Sequence, residues 1–451
     1  MVIEWKSILF IITLVVVMLL IIKFVDSKKK LKGEVKRKLF HTSMGLAMLS
    51  FPYIFTSALS VFILGVIALV LMYFLKNTGL KRSLGTVLYD IDRESLGEVF
   101  FVISVFTIFL LSKGDKILYS IPILILTLAD STAALIGKNY GKNSLSELSE
   151  DAKSLEGSFM FFMVAFMCTL VPILLYTQVG REETLIISTI VGLNVAMVEM
   201  ISHSGNDNLL IPLTTFAFLS THITQNADTL KYHLIALGII FVLVSIANGV
   251  KALSKLAVVE AMVIGYLTVI LYGTYAAIPP LFTIMTVMRF PKRQENEKNN
   301  VYDARIIETN IIIPTAVCGI AAITGWKKEF FMIYASAYAM HLIINSFVRF
   351  KYYIKMSEMD SILLSISKGV IFVYIPSLIV QKLVFGSLVH WSMLIFMFVA
   401  LIASGIIIYF KKKDVKHEEI LTSNGYMHMK IVLYLTIIIS GAQVLAQNFL
   451  M

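Results

Sequence analysis

At 451 residues the chain has the length of about three soluble domains, and its composition excludes that reading. Apolar residues make up 58% and charged residues 15%, against roughly 45–50% and about 25% in soluble globular domains. A cytosolic enzyme, a disordered chain and, despite the net charge of +10, a nucleic-acid binder are all excluded, because the apolar residues fall in long runs that suit only a bilayer.

The expected fold is all-α: a polytopic integral membrane protein of about sixteen transmembrane helices. In chain order the spans are predicted at 7–22, 39–55, 57–75, 97–112, 117–136, 157–178, 185–202, 209–222, 232–250, 256–272, 274–290, 306–324, 330–348, 362–381, 388–410 and 431–448. The first run, Ile8 to Ile22, ends in a Lys-rich stretch rather than a small-residue cleavage site, so it reads as a retained anchor. Cys168 and Cys318 lie inside apolar runs and imply neither a disulfide framework nor a zinc site.

Positive charge tests this set of spans. With the N-terminus outside, thirty of the 39 Lys and Arg residues fall on inner loops and eight on outer ones. The net charge is then a matter of topology and of attraction to anionic lipid. The longest loop is about twenty residues, so any chemistry belongs at the membrane face.

The unusual polar residues of the first half cluster on or beside the inner loops. Around Glu34, Arg37, Lys38 and His41, helical spacing puts a guanidinium, an ammonium and an imidazole on one face, a set that suits a phosphate chain. A basic helix start with a satisfied histidine is the structural alternative. Arg93 and Glu98 flank the next helix start, where a carboxylate facing an apolar run needs a cation or metal; an interfacial salt bridge would also serve. Asp130 sits inside a continuous apolar span, where a lone carboxylate is functional by default. Gly137 and Gly141 follow it and let backbone approach a ligand, with Lys138 between them. The spacing is not that of a Walker A loop, since three residues separate the glycines. Lys153, Ser154, Glu156 and Gly157 precede another span. There Ser154 can cap the helix, and the amides beyond it can hold an anion. Glu199 lies in a later span, and Asp207 and Asn208 in the loop after it, where they also read as a turn. Carboxylates with retained waters hold Mg²⁺ beside phosphates, and cations and helix N-termini stabilise phosphoryl charge. The combined set points to phosphoryl or nucleotidyl transfer.

In this order the clusters resemble the membrane polyprenol kinases, the family of dolichol kinase, phytol kinase and CTP-dependent diacylglycerol kinase. An R-K-x-x-H-x-x-x-G stretch is matched by Arg37, Lys38, His41 and Gly45. An R-x-S-x-G-E element is matched by Arg93, Ser95, Gly97 and Glu98. A D-x-x-A-x-x-x-G-x-x-x-G element is matched by Asp130, Ala133, Gly137 and Gly141, with Ala129 where a common variant has Gly. A K-S-x-E-G element is matched by Lys153, Ser154, Glu156 and Gly157, and a late acidic element by Glu199, Asp207 and Asn208. The resemblance covers roughly residues 30–225. It implies CTP as phosphoryl donor, Mg²⁺ or another divalent cation, and a long-chain lipid alcohol as acceptor. The positive-inside orientation puts the active face in the cytosol. Asp130, Glu98 and Glu199 are the candidate metal ligands, with Glu156 next. Arg37, Lys38, Arg93, Lys138 and Lys153 would hold the nucleotide, with Gly137, Gly141, Ser154, Gly157, Asp207 and Asn208. The base stays open among Asp130, Glu156 and His41.

The second half repeats the layout, which predicts a catalytic membrane domain at 1–230 and a second membrane half at 231–451, related by a parallel repeat of seven helices. Arg93 and Glu98 align with Arg305 and Asn310, Lys153 to Gly157 with Ser365 to Gly369, and Asp130 with Tyr338. The copy has lost its acids and should hold no Mg²⁺, so it reads as structural or regulatory. The stretch Asp303-Ala304-Arg305 to Asn310 faintly resembles the phytyl-phosphate kinase family, without that family's later acids. Two other functions compete with a kinase. A cytidylyltransferase acting on a lipid phosphate would use the same donor and metal. A lipid or isoprenoid-phosphate transporter would also carry repeats and intramembrane charges, though the charges here lie at one face rather than the midplane.

Overall fold

In a bilayer every backbone polar group must be satisfied within the protein, which leaves helices as the economical answer for long apolar runs. The computed structural model describes residues 3–29, 33–77, 96–142, 153–202, 205–248, 255–289, 314, 317, 318, 321 and 325–386. Every regular element among them is helical. Among the described residues seven helices are long and apolar enough to cross a membrane, and Ala58–Phe74, Gly97–Ser112 and Val258–Tyr272 are shorter apolar helices. The spans expected at 388–410 and 431–448 lie outside the described residues, as does nearly all of 306–324.

The chain forms two compact units, Met1–Ile235 and Ala236–Met451. In the first, α1 (Trp5–Lys29) packs on α2 (Gly33–Met48), followed by the single turn α3 (Phe51–Ile54) and by α4 (Ala58–Asn77). The span expected at 39–55 is thus broken. Leu49 and Ser50 form a turn, and Pro52 stands in the first turn of α3, where its missing N–H costs nothing. Helix α5 (Gly97–Ser112) ends at Lys113 and Gly114, both with positive φ. Asp115 then caps α6 (Lys116–Leu124) by accepting from the Ile117 and Leu118 amides at 2.8 and 2.9 Å.

The span expected at 117–136 is one long helix interrupted by a π turn. Pro122 lies inside α6, the backbone widens over Ile125–Ala129, and α7 (Asp130–Tyr140) resumes at Asp130. Proline removes one ladder hydrogen bond and a π turn shifts the register, so the break re-aims the face on which Asp130 sits. Ser154 caps α8 (Leu155–Tyr176), its Oγ accepting from the Gly157 amide at 3.1 Å. Helix α9 (Arg181–Ile201) is the most buried crossing of this unit. Its buried hydroxyl and amide groups bond their own helix, Ser188 Oγ to Thr184 O at 2.7 Å and Asn194 Nδ2 to Ile190 O at 2.8 Å. Helix α10 (Asp207–His222) packs against α5, α6 and α9, and α11 (Ala227–Asn248) follows.

The second unit contains α12 (Lys255–Tyr272), a 3₁₀ turn, α13 (Ile278–Arg289), α14 (Lys327–Val348), α15 (Glu358–Gly369) and α16 (Ile375–Phe385). Helix α14 is its centre, with nearly every residue from Phe331 to Ile344 buried. Its Phe331 and Tyr334 pack against Tyr272 of α12, and Tyr334 donates to the Ala276 carbonyl at 2.7 Å.

Candidate functional site

Helix α2 carries Lys38 and His41 one turn apart, the spacing that places two side chains on one helical face. Both reach the carboxylate at the start of α7. Lys38 Nζ donates to Asp130 Oδ2 at 2.6 Å, and His41 Nε2 lies 4.0 Å from the same oxygen. The side chains of Lys38 and Asp130 are only 22% and 14% exposed, so the pair is drawn together where water screens it little. His41 Nε2 is buried and makes no hydrogen bond among the described residues. Its ring packs edge-on to Phe101 of α5, with centroids 5.2 Å apart. Beside it, the Thr42 and Ser131 hydroxyls share a hydrogen bond of 2.8 Å.

A second pair lies close by. Lys153, immediately before the α8 cap, reaches Glu199 Oε1 at 2.8 Å and also donates to the Glu199 carbonyl. Ser158 Oγ donates to Glu199 Oε2 at 3.2 Å. The Lys153 charge acts on Asp130, and that of Asp207 acts on His41, so the two pairs belong to one electrostatic neighbourhood. Asn208 Nδ2 donates to the Gly97 carbonyl at 2.8 Å, joining the N-terminus of α10 to that of α5, where Glu98 sits. The C-terminal part of α9 and the N-terminal parts of α2, α5, α8 and α10 therefore meet at one end of the first unit.

The glycines lie at a helix crossing. A Cβ on Gly157 would lie 3.0 Å from the Ala133 carbonyl oxygen and 3.2 Å from the Gly137 Cα, and one on Gly141 would lie 2.7 Å from Ser154 Oγ. Gly137, Gly141 and Gly157 are the contact through which α7 crosses α8 without side chains between them. That close crossing sets Asp130, on α7, beside Lys153 and the α8 N-terminus. Gly45 acts likewise where α2 crosses the π turn: a Cβ there would overlap the Thr127 side chain.

The remaining expected residues are spread around this core. Glu156 and Arg37 are half-buried, and Lys138 is exposed at the far end of α7. Arg93 and Ser95 lie outside the described residues. Three contributors escaped the sequence reading, namely Ser158, the Thr42–Ser131 pair and Phe101. Ser158 and Ser131 directly follow Gly157 and Asp130, so adjacency to the motifs was the available signal. Nothing local marks Phe101.

Among the described residues no three His, Cys, Asp or Glu side chains gather as a preformed metal cage. Mg²⁺ asks for less, since it keeps waters and uses one or two carboxylates together with substrate phosphates. Asp130, whose Oδ2 accepts from Lys38, is the carboxylate here that could serve such a cation by sharing or exchanging that contact.

Over 188 residues the chain is 30% identical to the phytol kinase of Synechocystis sp., a match covering 40% of this chain and 76% of that protein. No family model matches the chain, and no solved structure matches it.

Proposed function

The chain belongs to the phytol and polyprenol kinase family, and from that premise we propose that it transfers the γ-phosphoryl group of CTP to the hydroxyl of an isoprenoid alcohol, at the cytosolic face of its membrane. The observation that carries this reading is the meeting of Lys38, His41 and Asp130 with Lys153 and Glu199 at one end of a helical unit. Phosphoryl transfer needs positioning and charge stabilisation more than covalent participation by the protein. Lys38 on α2 and Lys153 just before the α8 cap supply positive charge, and the N-terminal end of the α8 dipole favours an anion. Asp130 would hold a divalent cation with the help of Glu98, and that cation would offset charge building on the transferred group. Arg37, Arg93, Asp207 and Asn208 complete the nucleotide side. His41 Nε2 stands beside Asp130 with no competing hydrogen bond, in position to receive or orient the acceptor hydroxyl.

The same reading makes residues 231–451 a degenerate copy of the first half within a fold of about sixteen spans. Its support is the layout. Lys116–Tyr140 and Lys327–Lys351 are both 25-residue crossings, and the aligned glycines Gly157 and Gly369 each press onto a backbone carbonyl of a neighbouring helix, Ala133 and Ala339.

The test is a reaction of purified protein with Mg²⁺, an acceptor panel and CTP or ATP labelled at the γ-position. Label recovered on an isoprenoid alcohol is the expected result. Label reaching the lipid only from the α-position would make the protein a cytidylyltransferase, and lipid flux without nucleotide consumption would make it a transporter.

A further inference from the structure

Helices α1, α2, α4 and α5 do not close on one another. Between them lies a cavity of about 260 Å³ with an almost wholly apolar lining. Its wall on α4 runs from Val61 to Phe74, which at 1.5 Å per residue is about 20 Å, some two thirds of a hydrocarbon core of ~30 Å. The cavity is therefore a slot along the helices.

One end of the slot is the candidate site. Phe40, which lines it, immediately precedes His41, and Phe101, which also lines it, packs edge-on to the His41 ring. The slot and the Lys38–Asp130–His41 group thus share a wall. The opposite end is bounded by Met48, Phe51 and Val61. Along one side, the half-exposed Val16, Leu71 and Phe74 form a rim.

Helix α1 is fixed across the slot rather than collapsed into it. At its start the Glu4 carboxylate accepts from the Thr56 amide at 3.0 Å and from the Thr56 hydroxyl at 2.8 Å, while the Glu4 amide donates to Ser60 Oγ at 3.0 Å. Near its other end Lys36 Nζ donates to Asp26 Oδ2 at 3.2 Å. Between these polar ties the helix offers the slot only apolar side chains, Ile11 to Leu19. A wall pinned at both ends keeps an apolar space open that would otherwise gain by closing.

We infer that this slot holds the hydrocarbon chain of the acceptor alcohol, with the hydroxyl at the His41–Asp130 end, and that its lining sets which chains are accepted. The inference rests on the lipid-alcohol kinase reading for its occupant. A bilayer phospholipid would also find the slot apolar. The alcohol is favoured because the slot ends at a buried imidazole nitrogen with no hydrogen bond among the described residues, which suits a small hydroxyl rather than a bulky charged headgroup.

Two measurements on the full-length protein in nanodiscs test this. In the first, a diazirine-bearing isoprenoid alcohol is photo-crosslinked and the labelled peptides are mapped. Label on the slot-lining residues of α1, α2, α4 or α5, displaced by unlabelled phytol-type alcohol and not by phospholipid, is expected. Label elsewhere, or equal displacement by phospholipid, overturns the proposal. In the second, Ala68→Phe fills the middle of the slot and Leu71→Trp narrows its rim. The ratio of kcat/KM for long over short isoprenoid alcohols should fall at least tenfold in a variant that retains the wild-type melting temperature. An unchanged ratio in both folded variants overturns the proposal. The readouts also separate this inference from its premise. Specific crosslinking without CTP turnover removes the kinase and keeps the slot, whereas turnover with label outside α1, α2, α4 and α5 keeps the kinase and removes the slot.

Discussion

The two units answer the same problem in different ways. In the first, the acid of α7, with a side chain 14% exposed, is met by a lysine from α2. In the second, the position that the proposed repeat pairs with it is Tyr338, 5% exposed, packed edge-on to Tyr334 with ring centroids 5.2 Å apart. Likewise Glu156 aligns with Lys368, 8% exposed and lying over the Phe350 ring at 5.7 Å. A buried carboxylate demands a cation and a route to polar ligands, whereas an aromatic ring asks only for shape-matched neighbours. The second unit accordingly has a dense aromatic centre around α14 where the first has charged pairs. It is not free of acids, since Glu260 on α12 is buried, but that residue lies outside the aligned motifs. The first unit thus holds a Lys–Asp and a Lys–Glu pair where the second holds close-packed tyrosines.

The sharpest way to break this comparison is Asp130→Asn. Turnover should fall by about 10³-fold, the scale on which a group acting on transition-state charge is felt. The variant also leaves Lys38 without its partner, which can cost up to about 3 kcal/mol, so folding has to be checked alongside rate. The double variant Asp130→Asn with Lys38→Met should recover thermal stability and not activity. If it recovers both, the pair is structural and the two units differ in packing alone. Next in size is Lys153→Met, which should raise the nucleotide KM by about 10–100-fold, the value of one charge-assisted contact. Wild-type KM for both CTP and ATP in that variant would show that Lys153 serves only to hold Glu199.

Much of this site could be read before any coordinates existed, because its parts obey local rules. The helical face shared by Lys38 and His41, the cap at Ser154 and the cost of Asp130 in an apolar run all follow from short stretches of chain. The partner of Asp130 does not, since Lys38 lies 92 residues away and no local period encodes that distance. The interruptions were harder still. Pro52 and Pro122 were visible, but whether a proline ends a helix, kinks it or starts a π turn depends on the neighbours that re-satisfy the freed carbonyl. The glycines mark close approach, and a residue without a side chain does not say whether a helix or a ligand is what approaches.

The aligned glycines give a matched pair of experiments. Gly157→Ala would set a methyl 3.0 Å from the Ala133 carbonyl oxygen, and Gly369→Ala would set one 3.0 Å from that of Ala339 and 2.5 Å from Ile343 Cγ1. Overpacking of this kind costs about 1–3 kcal/mol, so both variants should melt earlier in detergent. Only Gly157→Ala should also slow turnover, because it alone pushes Asp130 away from Lys153. Equal losses of activity would mean that the second unit shapes the site.

The smallest expected effect is at Tyr338. Tyr338→Phe keeps the ring that fills the centre of the second unit and removes only a hydroxyl, so neither melting temperature nor rate should move by more than a small fraction of the Asp130→Asn effect. Tyr338→Ala is the harsher form. It opens a cavity worth about 3–5 kcal/mol, and its rate per folded molecule is then the informative number. If that rate stays near wild type while stability drops, the second unit contributes packing and not chemistry. If the rate collapses even with the Phe variant, the hydroxyl at the position aligned with Asp130 takes part in turnover, and the second unit cannot be an emptied copy.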